Sequence, residues 1–172
     1  CLDGVLLMEL ITDADGVVAP RLSDVILTEE EAVADFDTMI RNIVRMLCAG
    51  IVHGDLSEFN VLMDAEGPVI IDLPQAVDAA ANNHAESMFE RDVNNMTEYY
   101  GQFAPQLLEP RFAKEIWALY EDGKLTPETI LTGLFTEDTH KADVDSLLDE
   151  ITAAEDEYYD RQRAMKERDL DH

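Results

Sequence analysis

The stretch that most constrains this chain is Ile51 to Asp72, IVHGDLSEFNVLMDAEGPVIID. Ile51-Val52 leads in, and two apolar runs follow, Asn60-Val61-Leu62-Met63 and Pro68-Val69-Ile70-Ile71. Both read as short strands, with Asp64-Ala65-Glu66-Gly67 as the turn of a hairpin between them. Strands apolar on both faces are expected to be covered on both sides, which fixes whatever polar residues stand at their ends. Those residues are Asp55, Asn60 and Asp72. The hairpin brings the last two together.

Two carboxylates and an amide converging on one point suit phosphoryl transfer from a nucleotide. Asp55 accepts the proton of, or orients, an attacking hydroxyl. Asn60 offers a neutral oxygen and Asp72 a charged one to Mg2+, a hard cation that takes oxygen ligands. The metal neutralises charge as it develops on the phosphates, which is most of what a protein must supply in such a reaction. Asp-x4-Asn also has the spacing of the kinase catalytic loop. In a chain with 38 acids the loose pattern alone is no better than chance. His53-Gly54 in front, and the strand-like runs around it, make it specific.

His53-Gly54-Asp55-Leu56-Ser57-Glu58-Phe59-Asn60, followed by Ile70-Ile71-Asp72-Leu73-Pro74-Gln75-Ala76-Val77-Asp78, resembles the RIO family of atypical serine/threonine protein kinases, and reads like its bacterial branch. The likeness runs from about Leu6 to Gly101 and more loosely to Glu121. His-Gly-Asp-x4-Asn alone is shared with aminoglycoside and choline phosphotransferases; the wording around it is what separates the two. The resemblance implies that Asp55 is the acid-base residue and that Asn60 and Asp72 hold Mg2+. It implies that Asp72 transiently accepts phosphate in some members, and that ATP and a protein hydroxyl, including the kinase's own, are the reactants. Backbone groups of Glu9 and Ile11 stand where an adenine would bind, beside Met8 at the gatekeeper position. His53 is expected to prop the loop. Ser57 stands where ordinary protein kinases carry a Lys on the transferred phosphate, which leaves transition-state charge less covered. Relatives outside bacteria act in maturation of the small ribosomal subunit, so a ribosome-linked role follows by resemblance alone.

The fold expected is α+β: a mostly helical, protein-kinase-like C-lobe with a short β-hairpin at the catalytic site, plus C-terminal helices. Residues 1–122 are expected to form that lobe with its hinge, the N-lobe being absent, and 123–172 a helical extension. Gly4 to Ile11 reads as a strand that turns at Thr12–Gly16. Thr28-Glu29-Glu30-Glu31 is a capping box that opens a helix to about Ala49, stopped by Gly50, with Phe36, Met39, Ile40, Ile43, Val44 and Leu47 as its core face. Cys48 is expected beside them as a small buried neighbour. Further helices are expected over Ala85–Tyr100, Pro105–Tyr120, from Thr126-Pro127-Glu128, and over Ala142–Arg168. His84 reads as structural or solvated, and Arg91-Asp92 as an internal ion pair or helix surface.

The net charge of -26 argues against direct binding of nucleic acid, because phosphate contact depends on Lys and Arg. It fits either a salt-adapted source or the acidic part of a longer protein whose other half is basic, and the apparent start at the hinge favours the second. No apolar run approaches the length of a membrane helix, and nothing marks export. Cys1 and Cys48 stand far apart, in no metal-type spacing, and suit a reduced, cytoplasmic protein. The chain has no glycine-rich phosphate loop and no strand Lys paired with a helix Glu. We therefore expect it to turn over ATP poorly or not at all by itself. Two rival readings are a small-molecule phosphotransferase of aminoglycoside or choline type, and a pseudokinase-like interaction module.

Overall fold

The computed structural model describes residues 10–136. Chain contacts separate residues 1–135 from 136–172 as two units, and the elements below belong to the first. Most of the expected strand Gly4–Ile11, with Met8 and Glu9, and the helix expected over Ala142–Arg168 lie outside the described residues.

The first described turn is Thr12–Gly16. The Asp13 carboxylate accepts the N–H groups of Asp15 and Val17, and the Ala19 N–H donates to the Ile11 carbonyl at 3.0 Å, closing a small antiparallel corner.

Helix α1 (Glu29–Cys48) is opened as its sequence demands. Thr28 Oγ1 accepts the Glu31 N–H at 3.3 Å, and the Glu31 carboxylate accepts the Thr28 N–H at 2.8 Å. Gly50, at φ 78°, turns the chain out of it. The six expected core residues of α1 are all buried, none more than 5% exposed. Cys48 is exposed, which corrects the expectation of burial. It follows Leu47 by about 100° around the helix, enough to leave the core stripe.

Strand β1 (Ile51–Val52) follows, then a 3-10 turn over Glu58–Asn60, β2 (Val61–Asp64) and β3 (Gly67–Ile70). β2 and β3 form the expected hairpin, with Val61 opposite Ile70 and Asp64 opposite Gly67. Asp64 Oδ1 closes its turn by accepting the N–H groups of Glu66 and Gly67 at 2.6 and 2.9 Å. The hairpin is not covered on both sides. Val61 and Pro68 are its only buried residues. One face rests on α1, whose Asn42 donates to the Pro68 carbonyl at 3.2 Å. The outer edge of β2 is met by the preceding chain, where the Met63 N–H donates to the Pro20 carbonyl at 2.8 Å.

Strand β4 (Val77–Asp78) pairs antiparallel with β1, so that Ile51 faces Asp78 and Val52 faces Val77. Two-residue strands carry too little sequence pattern to announce themselves. Helix α2 (Ala85–Gly101) then buries Phe89, Val93, Met96 and Tyr100 against α1 and against α3 (Phe112–Glu121). Phe36 of α1 is the hub. Its ring lies 5.7 Å from that of Tyr100 and 5.9 Å from that of Phe112.

The helix expected over Pro105–Tyr120 is two elements, a 3-10 turn at Pro105–Leu108 and α3. Pro110 lies between them and has no N–H with which to continue the ladder. The helix expected from Thr126 is a single turn, closed by the Thr129 N–H on the Thr126 carbonyl at 3.0 Å. Beyond it Glu115 captures the chain: its carboxylate accepts the Thr132 N–H, the Thr132 hydroxyl and the Gly133 N–H at 2.7 to 2.8 Å. Three such bonds hold a bend at Gly133, φ 71°, where a helix would need to continue. Among the described residues, no helix is long and apolar enough to cross a membrane.

Candidate active site

β1 delivers the chain to His53, which is 3% exposed. Its Nδ1 accepts the Asp55 N–H at 3.3 Å, and its Nε2 lies 2.9 Å from the Ile71 carbonyl. The two bonds together select the neutral tautomer with hydrogen on Nε2, donating to Ile71. Gly54 has φ 82°, and a Cβ there would stand 2.6 Å from Met88 Cε and 3.1 Å from the Gln75 carbonyl oxygen. Only glycine meets both conditions.

Helix α2 grips the loop from beneath. Asp92, 2% exposed, accepts the Gly54 N–H on Oδ2 at 2.7 Å and the Leu56 N–H on Oδ1 at 2.9 Å. Arg91 donates to the Gly54 carbonyl, and Asn95 Nδ2 to the Leu56 carbonyl at 3.0 Å. Burial pushes the Asp92 carboxyl above its ordinary range, while the two N–H donors, His53 and Arg91 pull the other way. Arg91 and Asp92 thus both serve the loop; the burial of Asp92 corrects the helix-surface expectation for that residue, while Arg91 is exposed and its charge attracts Asp92. The signal was present: Asp92 shares its helix face with Phe89, Val93 and Met96, an apolar set on which a carboxylate needs partners.

Asp55 is exposed at the apex of this loop. Asn60 Nδ2 donates to the Asp55 carbonyl at 2.8 Å, and the Ile71 N–H donates to the Asn60 carbonyl at 2.9 Å. Ile71 is therefore held on both sides of its backbone, by Asn60 and by His53. Asp72 comes next, exposed and in the left-handed region at φ 68° and ψ 60°. That conformation costs a non-glycine residue about 1 kcal/mol, least for Asp and Asn. The structure thus ties Asp55 to Asn60 directly, and Asp72 to both through the Ile71 peptide. Ile11 is described, its carbonyl bonded to Ala19. His84 precedes α2 and makes no side-chain cap.

With Nδ2 committed to Asp55, Oδ1 is the side-chain atom that Asn60 has left. Asp72 makes no side-chain hydrogen bond or ion pair among the described residues. An amide oxygen and a carboxylate are hard donors of the kind Mg2+ takes. Among the described residues no three His, Cys, Asp or Glu side chains cluster as a self-sufficient metal site.

The RIO domain profile matches residues 1–113. The chain belongs to the RIO family. RIO-type serine/threonine-protein kinase Rio1 of Haloferax volcanii is 38% identical over 97 residues, covering 56% of this chain and 32% of that protein. Serine/threonine-protein kinase RIO1 of Homo sapiens is 32% identical over 127 residues, covering 73% of this chain and 22% of that protein. The Rio2 kinase of Methanocaldococcus jannaschii is 38% identical over 78 residues, 45% of this chain and 28% of its own. This RIO chain spans a third or less of the length of each of these relatives.

Proposed function

We propose that this chain supplies the catalytic-loop and Mg2+-binding half of an ATP-dependent phosphotransferase of RIO type, the C-lobe of a serine/threonine protein kinase or ATPase. The observation that supports the reading is the junction of Asp55, Asn60 and Ile71 within the RIO-matched segment: Asn60 Nδ2 donates to the Asp55 carbonyl and the Ile71 N–H to the Asn60 carbonyl, one residue before Asp72. Asp55 orients the acceptor hydroxyl and takes its proton at the carboxylate. Asn60 Oδ1 and Asp72 hold Mg2+, which when bound neutralises charge on the phosphates. His53, Asp92 and Gly54 keep the loop in register with the end of β3. Backbone groups of Glu9 and Ile11, next to Met8, receive the adenine. Phosphate grip comes from a glycine-rich segment that these 172 residues do not contain.

Two outputs fit the site, transfer to a serine or threonine hydroxyl, the protein's own included, and transfer to water. A ribosome-linked role and action in the cytoplasm belong to the same reading. So does the absence of direct nucleic-acid contact by this acidic chain.

The test is phosphoryl transfer from γ-labelled ATP by a protein that includes this chain, compared with its Asp55→Asn variant. Loss of the acid-base group is expected to slow transfer by about 10²-fold or more. An Asp55→Asn protein as fast as the parent contradicts the assignment.

A further inference from the structure

Residues 54–56 carry six backbone polar groups, and each is bound by a side chain and by no strand or helix ladder. Asp92 takes the N–H groups of Gly54 and Leu56. Arg91 and Asn95 donate to the carbonyls of those same two residues. His53 and Asn60 take the N–H and the carbonyl of Asp55 itself. The Asp55 carboxylate is exposed and makes no bond of its own among the described residues. Its position is therefore set wholly through the two flanking peptide groups.

We propose that Arg91 and Asn95 are positioning residues for Asp55. The proposal rests on the acid-base reading of Asp55. The pair stands one helical turn apart on α2, so its two donors rise in step with two carbonyls on either side of the carboxylate. Asp92 alone fixes only the N–H side of those peptides. Without the carbonyl anchors the loop is held by Asp92, His53 and Asn60 alone, and the peptides before and after Asp55 gain freedom to tilt about those contacts. Neither residue carries the packing of α2, which runs through Phe89, Val93, Met96 and Tyr100. Arg91 is exposed and Asn95 half-buried. Their loss is accordingly felt in geometry before it is felt in stability.

The experiment measures steady-state phosphoryl transfer from ATP by the protein that contains this chain, in Arg91→Ala, Arg91→Lys, Asn95→Asp and Asn95→Gln forms. Asn95→Asp keeps the shape and removes the donor. Misplacement of a reacting group by about 1 Å costs on the order of 10²-fold. Arg91→Ala and Asn95→Asp are expected to lose about 10- to 100-fold in kcat with KM for ATP held within about twofold. Arg91→Lys, which keeps a donor, recovers part of the loss. An unchanged kcat, or a loss confined to KM, overturns the proposal. A second arm needs no turnover. In the 172-residue chain, the amide resonance of Asp55 is expected to shift or broaden in Asn95→Asp while the unfolding midpoint stays put. An unmoved Asp55 signal overturns the proposal. Should the parent protein fail to transfer phosphate, the proposed function falls, and the resonance of Asp55 alone decides the positioning claim.

Discussion

The His53 imidazole bridges the catalytic loop and the end of β3, accepting from Asp55 N–H at 3.3 Å and lying 2.9 Å from the Ile71 carbonyl. Through it, the backbone that carries Asp55 and the backbone that leads to Asp72 are one assembly. Replacing His53 by Ala empties a buried site and leaves the part-buried Asp55 N–H and Ile71 carbonyl without this partner. We expect a loss of about 2 to 3 kcal/mol in urea unfolding. A His53→Ala chain as stable as the parent would show that the bridge carries no load.

Gly54 is constrained twice, by φ 82° and by crowding from Met88 and the Gln75 carbonyl. Gly54→Ala is expected to cost about 1 to 3 kcal/mol and to disturb the Asp55 amide signal. Trimming the neighbour in a Gly54→Ala, Met88→Ala double variant relieves the side-chain contact and not the backbone ones. Full recovery of stability in that double variant would contradict the positive-φ argument.

The capping box has a definite pH signature. Its bonds to Thr28 hold the Glu31 carboxyl below its ordinary value of 4.5. A carboxyl depressed on folding contributes stability above its unfolded pKa, and the contribution is lost as pH falls through the folded value. Thermal unfolding of the parent and of Glu31→Ala, compared between pH 7 and pH 3, should therefore converge on acidification. Thr28→Ala removes the hydroxyl cap and costs about 1 kcal/mol at neutral pH.

The Glu115 carboxylate holds Thr132 and Gly133 against α3. Glu115→Gln replaces one acceptor oxygen by an NH2 group that faces a donor. Limited proteolysis should then cut within residues 125–135 several-fold faster, at a stability cost of about 1 to 3 kcal/mol. Unchanged protection of that segment would mean the packing of Leu131 and Pro110 holds it instead.

Local rules reached far into this chain. The capping box, the Gly50 stop, the core stripe of α1, the bounds of α2 and the hairpin turn at Asp64 all follow from short-range chemistry. The tie between Asn60 and the Ile71 peptide follows from the register of the hairpin. What escaped depends on long-range partners. Asp92 reads as one more acid until Gly54 and Leu56, 38 and 36 residues earlier, are seen to donate to it. β4 exists because β1 is there to pair with it. The single turn at Thr126 stays single because Glu115 takes the chain beyond it. The exposure of Cys48 was readable from helix geometry, since its neighbour Leu47 already points inward.

The most direct measurement is calorimetric titration of Mg-ATP into this chain and into an N-terminally longer form, each compared with Asp72→Asn. Asn tolerates the left-handed backbone at position 72, so the variant removes charge while keeping the fold. Binding by the longer form that weakens about tenfold or more in Asp72→Asn, with the unfolding midpoint unchanged, is the result expected of a metal ligand. Equal Mg-ATP affinity with and without the Asp72 carboxylate, or no binding by either form, would contradict the phosphotransfer site.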